Sequence, residues 1–170
     1  MMPIKTKFNL ISNDEPAYLI AEACDNHLGN LETALLMCKL AKEAGASAIK
    51  FQHHLPDEEM LKDVPQSNNF DIPLYEFLQK HALKIEDHVK INKYCEDLKI
   101  DYLCTPFSYK AAEELSNNLD LNVYKIGSGE SQDLPTLTKI VKELNKSLII
   151  STGMTTIEEN DETYNHLQKI

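Results

Sequence analysis

At 170 residues the chain suits one domain with a buried core, yet it falls well short of the roughly 250 residues of a complete eight-unit barrel. A formal net charge of −10 with no Lys/Arg cluster argues against nucleic acid or an anionic membrane surface as partner, so an anionic small substrate needs a locally basic pocket. No apolar run approaches the roughly 20 residues of a membrane span, and residues 1–9 lack the apolar core of a secretory signal, so the expected location is the cytoplasm.

The first strand pattern is Leu19-Ile20-Ala21-Glu22, a short apolar run that ends on a carboxylate. Asn30 then caps a helix whose apolar positions Ala34, Met37, Cys38 and Ala41 follow the i, i+3, i+4, i+7 rule, and Gly45 stops it. Ala48-Ile49-Lys50-Phe51-Gln52 is the second strand. A long connection over residues 53–83 follows, with Pro56, Pro65 and Pro73 and a short helical pattern at 74–82. On the catalytic face of a barrel such a loop either covers or shapes the site or is a solvated excursion. A helical pattern over 86–98 leads to the strand Tyr102-Leu103-Cys104-Thr105-Pro106, and Ser108 caps a helix over 109–117.

The fourth strand runs into Tyr124-Lys125-Ile126-Gly127-Ser128-Gly129-Glu130, where a lysine ends the apolar run and a Gly-Ser-Gly turn presents a carboxylate. The helix at 135–144 keeps Leu137, Ile140, Val141 and Leu144 on one face. Leu148-Ile149-Ile150-Ser151-Thr152-Gly153 is the last strand, and Thr155 with Glu158 has the spacing of a capping box that opens a final helix. Repeated β-α alternation predicts a parallel sheet with right-handed crossovers. The expected fold is therefore α/β, of the TIM-barrel type, an incomplete barrel of about five βα units whose polar strand ends converge on one face.

Cys24, Cys38, Cys95 and Cys104 form no C-x-x-C pair. Cys38 and Cys95 sit on apolar helix faces and read as reduced core thiols, whereas Cys24 and Cys104 lie near strand ends without an activating neighbour. Adjacent strand residues point to opposite faces, so His53-His54 cannot readily chelate one ion. His27 is expected to orient the first loop, and His81, His88 and His166 to be surface or packing residues on helices.

Ile20-Ala21-Glu22-Ala23-Cys24-Asp25-Asn26-His27-Leu28-Gly29, Lys50-Phe51-Gln52, Thr105-Pro106-Phe107-Ser108, the Lys125 to Glu130 run and Ser151-Thr152-Gly153-Met154 together resemble the sialic acid synthase family, in order and spacing. One departure is Ala23-Cys24-Asp25, where many members have Ile-Gly-x. The resemblance implies a transferase that condenses phosphoenolpyruvate with an N-acetylated hexosamine, such as N-acetylmannosamine, to a nine-carbon 3-deoxy-2-keto acid and phosphate. It implies Lys50, Thr105, Lys125, Ser128 and Ser151 as phosphoenolpyruvate contacts, Asn69 as a sugar contact, and Glu22 and Glu130 as the catalytic carboxylates. The chemistry of the residues agrees. Lysines at strand ends pair with an anion, hydroxyls add donors, and the Gly127-Ser128-Gly129 backbone can approach a phosphate closely.

The resemblance further implies a divalent metal, Mn or Mg, acting as a Lewis acid on the sugar carbonyl. Its histidine ligands, three more βα units and an antifreeze-like domain would lie beyond Ile170, so the whole chain, residues 1–170, reads as the N-terminal portion of the barrel. The family forms homodimers, and here a completing chain is a further expected partner. A competing expectation is a non-catalytic half-barrel, because five strands leave an open edge and exposed apolar faces. Another phosphoenolpyruvate-using barrel, a deoxy-heptulosonate synthase, fits the two lysines but not Asn26-His27-Leu28-Gly29 with Lys125 to Glu130.

Overall fold

The computed structural model describes residues 3–63, 65–66 and 71–170; Asn69 lies outside them. In chain order the elements are β1 (Ile4–Lys5), β2 (Leu10–Ile11), β3 (Ile20–Glu22), α1 (Leu31–Glu43), β4 (Ala48–His53), α2 (Pro56–Glu59), α3 (Leu74–His81), α4 (Ile85–Leu98), β5 (Asp101–Pro106), α5 (Tyr109–Asn118), β6 (Val123–Ile126), α6 (Leu134–Leu144), β7 (Ser147–Ile150) and α7 (Ile157–Leu167). β3, β4 and β5 pair in parallel in that order, as do β6 and β7. β5 and β6 run alongside one another and bring the two groups together into a TIM-barrel-type wall. Among the described residues, the outer edges of β3 and β7 have no strand partner.

Period-two alternation sorts the strand residues into two cores. Ile49 and Phe51 of β4, Tyr102 and Cys104 of β5, and Tyr124 and Ile126 of β6 face outward. They pack under Ala34, Cys38, Ile91, Cys95, Leu115, Leu137 and Ile140 of the covering helices. The intervening residues face the barrel interior, where Ala48, Leu103 and Val123 pack with Ile20 and Ile149. Further along the same faces towards the strand C-termini come Glu22, Lys50, Thr105 and Lys125. The sequence pattern thus dictates that an apolar interior layer is overlaid by a polar one.

The helices begin where their caps predict. Asn30 accepts a hydrogen bond from the Thr33 amide at 2.9 Å, and Ser108 from Ala111 at 3.1 Å. The last helix is offset by one residue from the expected start, since Thr156 and Glu159, not Thr155 and Glu158, make the reciprocal capping box. Thr155 instead hydrogen-bonds Asn160 at 2.6 Å.

The short antiparallel β1–β2 pair was not evident from periodicity. It sits at the N-terminal end of the strands, where the buried Asp101 carboxylate collects four donors: Thr6 Oγ1 (2.5 Å), Asn9 Nδ2 (2.7 Å), Tyr18 OH (2.9 Å) and the Phe8 amide (2.9 Å). A cavity of about 60 Å³, lined in part by Thr6, Asp101, Leu121 and Val123, lies at this same end, opposite the polar layer. On the other flank, Met154, Ile157 and Tyr164 beyond β7 are largely exposed. That exposure is the apolar surface expected of an open barrel.

Candidate active site

Parallel pairing places Glu22 of β3 beside Lys50 of β4, and Gln52 of β4 beside Thr105 of β5. The Lys50 ammonium is ion-paired with Glu22 and lies 3.4 Å from Thr105 Oγ1, with its side chain nearly buried while the Glu22 side chain is 46% exposed. An ammonium taken this far out of water needs compensating acceptors, and Glu22 supplies one. Two strands on, Lys125 donates to the Ser151 hydroxyl and, at 2.6 Å, to the Ile126 carbonyl. Burial lowers the Lys125 pKa, the Lys50 charge lowers it further, and Glu22 and Glu130 oppose the shift. Lys50, Lys125, Glu22 and Glu130 therefore share one electrostatic environment at the strand C-termini.

Glu130 sits on the turn after β6, half-buried, with its Oε2 shielded from solvent and without a hydrogen-bond partner. Burial pushes its pKa up and Glu59 pushes it further, against its own backbone amide, His54 and Lys125. Such a carboxyl can hold a proton longer than an exposed one. Ser128 is half-buried on the same turn, and its carbonyl accepts from Ser131 Oγ at 2.9 Å.

Gly127 explains how this carboxylate comes so close to the strand end: a Cβ there would run into Glu130 Oε2. The obstacle is the tip of a flexible side chain. Gly127→Ala is therefore expected to cost under about 1 kcal/mol in stability while displacing the Glu130 carboxylate. Urea denaturation paired with a carboxyl NMR titration of Glu130 checks this, and an unmoved Glu130 signal would refute the account of the glycine.

The histidines divide as adjacent strand positions require. His53 faces outward, donating to Glu114 of α5 at 2.9 Å and meeting His88 of α4 edge-on, while His88 shares a 2.6 Å hydrogen bond with the Tyr102 hydroxyl. Burial lowers the pKa of both rings. His27 is buried and its Nδ1 accepts from the Gly29 amide at 3.0 Å, an orienting role in the first loop.

His54 turns the other way. Its Nδ1 donates to Glu59 Oε1 at 2.8 Å, its Nε2 lies 3.3 Å from Gln52 Oε1 and 3.4 Å from Asp25 Oδ2, and its ring stacks on Phe107 with centroids 4.3 Å apart. This cluster escaped the sequence reading. The available signal was the alternation that turns His54 away from His53.

The cysteines do not join the site chemically. Cys104 faces the sheet–helix core rather than a pocket, and burial raises its pKa to about 12. Burial and then Glu22 raise Cys24 as well. Cys38 and Cys95 are fully buried with their sulfurs 3.6 Å apart between α1 and α4. Among the described residues, no three His, Cys, Asp or Glu side chains are grouped to hold a metal ion, so the implied metal's Lewis-acid chemistry is assigned to none of them. Among the same residues, no helix is long and apolar enough to cross a membrane.

The chain is similar in sequence and in fold to known proteins. The chain is 35% identical over 157 residues to an N,N'-diacetyllegionaminic acid synthase of Campylobacter jejuni, covering 89% of this chain and 46% of that one. It is 35% identical over 156 residues to a pseudaminic acid synthase of the same organism, covering 87% and 44%. The chain thus spans less than half the length of these two relatives. In fold it matches the N-acetylneuraminic acid synthetase of Leptospira borgpetersenii, crystallised with citrate, with a TM-score of 0.85 at 23% identity over 98% of this chain and 55% of that one. The NeuB family profile matches residues 37–170, most of the chain, and the chain therefore belongs to the NeuB family.

Proposed function

We propose that this chain carries the phosphoenolpyruvate-binding face of a sugar-acid synthase, which joins phosphoenolpyruvate to an N-acetylated hexosamine and releases phosphate. The observation that supports this most is the meeting of Lys50 and Lys125 with Glu22, Thr105, Glu130 and Ser151 at the ends of successive parallel strands. The two ammonium groups take the phosphate and carboxylate of phosphoenolpyruvate, with hydroxyls of Thr105, Ser128 and Ser151 as further donors. Binding requires phosphoenolpyruvate to displace the internal contacts of Lys50 and Lys125, which hold the ammonium groups in place meanwhile.

In the reaction, C3 of phosphoenolpyruvate attacks the open-chain sugar aldehyde, whose oxygen takes up a proton. C2 becomes cationic. Water adds there, loses a proton, and the tetrahedral centre collapses to the ketone as phosphate leaves. Glu22, anionic against Lys50, stabilises the positive charge at C2. Glu130, with its raised pKa, is the carboxyl suited to manage the proton of the aldehyde oxygen or the water. With the further barrel units that the family resemblance implies, a divalent metal would add Lewis-acid activation of the aldehyde. Asn69 remains a proposed sugar contact.

The open edges of β3 and β7 favour a second reading, a half-barrel that is inert until a completing chain covers them. Calorimetry of phosphoenolpyruvate binding separates the two. Lys125→Ala is expected to weaken binding roughly tenfold to a hundredfold, since a charge-assisted contact contributes about 1.5–3 kcal/mol, whereas Lys142→Ala on the exposed face of α6 leaves it unchanged. Equal affinities in the two variants would overturn the assignment. Absence of binding in the parent chain would favour the inert half-barrel.

A further inference from the structure

Three loops at the strand C-termini converge on one ring. Asp25 comes from the loop after β3, Glu59 from the end of α2 in the long connection after β4, and Phe107 from the turn after β5. All three touch His54, which itself follows β4 directly and has only 6% of its side chain exposed. The Glu59 side chain is 4% exposed, and its second oxygen is buried without a partner, as are Asp25 Oδ1 and Glu130 Oε2.

Phe107 also connects this cluster to the turn after β6. Its ring edge lies 3.8 Å from where a Gly127 Cβ would stand, on the same side as the Glu130 carboxylate. The ring of Phe107 thus neighbours both His54 and the Glu130 turn.

We propose that His54 is a positioning residue of the active site: its ring, clamped by Asp25 and Glu59 and laid on Phe107, ties the first three loops together and supplies the positive charge that balances Glu59 against Glu130. The carboxylates make this workable. With no cation beside it, the buried Glu59 carboxylate would hold Glu130 protonated, and Asp25 and Glu59 would lose the charge that draws their loops together. Burial by itself lowers a histidine, but Asp25 and Glu59 outweigh it and hold His54 at about 9, so the ring is a cation at neutral pH. The other titratable groups facing it are Glu130, His27, His53 and His88, and burial keeps these three histidines neutral at that pH. Because the folded-state pKa of His54 is raised, the clamp's contribution to stability is complete below about pH 6.5 and is lost as pH rises through about 9.

The inference rests on the synthase reading for the role of Glu130, but its test uses no substrate. Failure of phosphoenolpyruvate to bind and failure of the clamp are therefore separate outcomes. The experiment is a carboxyl NMR titration of Glu130, assigned with Glu130→Gln, in the 170-residue chain. His54→Gln, and His54→Phe, which keeps an aromatic ring against Phe107, are both expected to raise the Glu130 midpoint by about half a pH unit or more. Glu59→Gln is expected to lower it by a similar amount. A merely structural role would loosen the site and move all three variants down, towards the value of an exposed carboxyl. An unmoved midpoint in both His54 variants, or a neutral His54 ring at pH 7 in the parent chain, would overturn the proposal.

Discussion

The 170-residue chain incubated with phosphoenolpyruvate, N-acetylmannosamine and manganese is expected to release phosphate and keto acid at least about 10⁵-fold more slowly than a full-length relative. The reason is geometric. Attack of the enol carbon on the aldehyde needs both partners held in line and the carbonyl polarised, and effective molarities show that orientation alone can be worth about 10⁵ or more. The described residues bring Lys50, Thr105, Lys125 and Ser151 to one wall. The edges of β3 and β7 remain open, and no metal-ligand group is present among those residues. Phosphate and keto-acid assays on the intact purified chain test this. Robust turnover would mean that five parallel strands already enclose a working site, and the boundary of the catalytic unit would have to be redrawn.

The largest expected loss of stability comes from the opposite end of the strands. Asp101→Ala should destabilise the chain by about 3–5 kcal/mol, because it leaves Thr6, Asn9, Tyr18 and the Phe8 amide without their common acceptor. Burial and Asp101 already hold the Tyr18 hydroxyl well above its ordinary pKa, so this phenol remains a donor throughout the accessible pH range. Asp101→Asn should cost less, since the amide oxygen still accepts while its NH₂ opposes one donor. Urea midpoints for the two variants give the comparison. Loss under about 1 kcal/mol in the alanine variant would show that the β1–β2 pair is held by something other than this carboxylate.

The α/β alternation and the polar strand ends were legible because they are local. A period of two brings Lys50 and Gln52 to one face of β4 and Phe51 to the other, and a period of 3.6 gives each helix its buried stripe, whatever the rest of the chain does. The helix starts were readable to within a residue for the same reason. The one slip has a simple origin: Thr155 with Glu158 and Thr156 with Glu159 have identical spacing, and only the approach of the chain from β7 selects the second pair.

What pattern could not supply is pairing at long range. The Asp101 carboxylate is met by Thr6 across 95 positions, His53 by Glu114 across 61, and Lys125 by Ser151 across 26. Nothing in the vicinity of either partner announces the other. His54 shows the difference most clearly. Its sequence neighbours established that it faces away from His53, but Asp25, Glu59 and Phe107 come from three separate loops, and the two carboxylates, outweighing burial, make the ring a cation. The sequence by itself therefore determined the order of the five parallel strands with their covering helices and which strand residues face inward, because backbone geometry enforces both locally. The tertiary structure alone decided which charges are desolvated together, because desolvation depends on every segment that packs around a group.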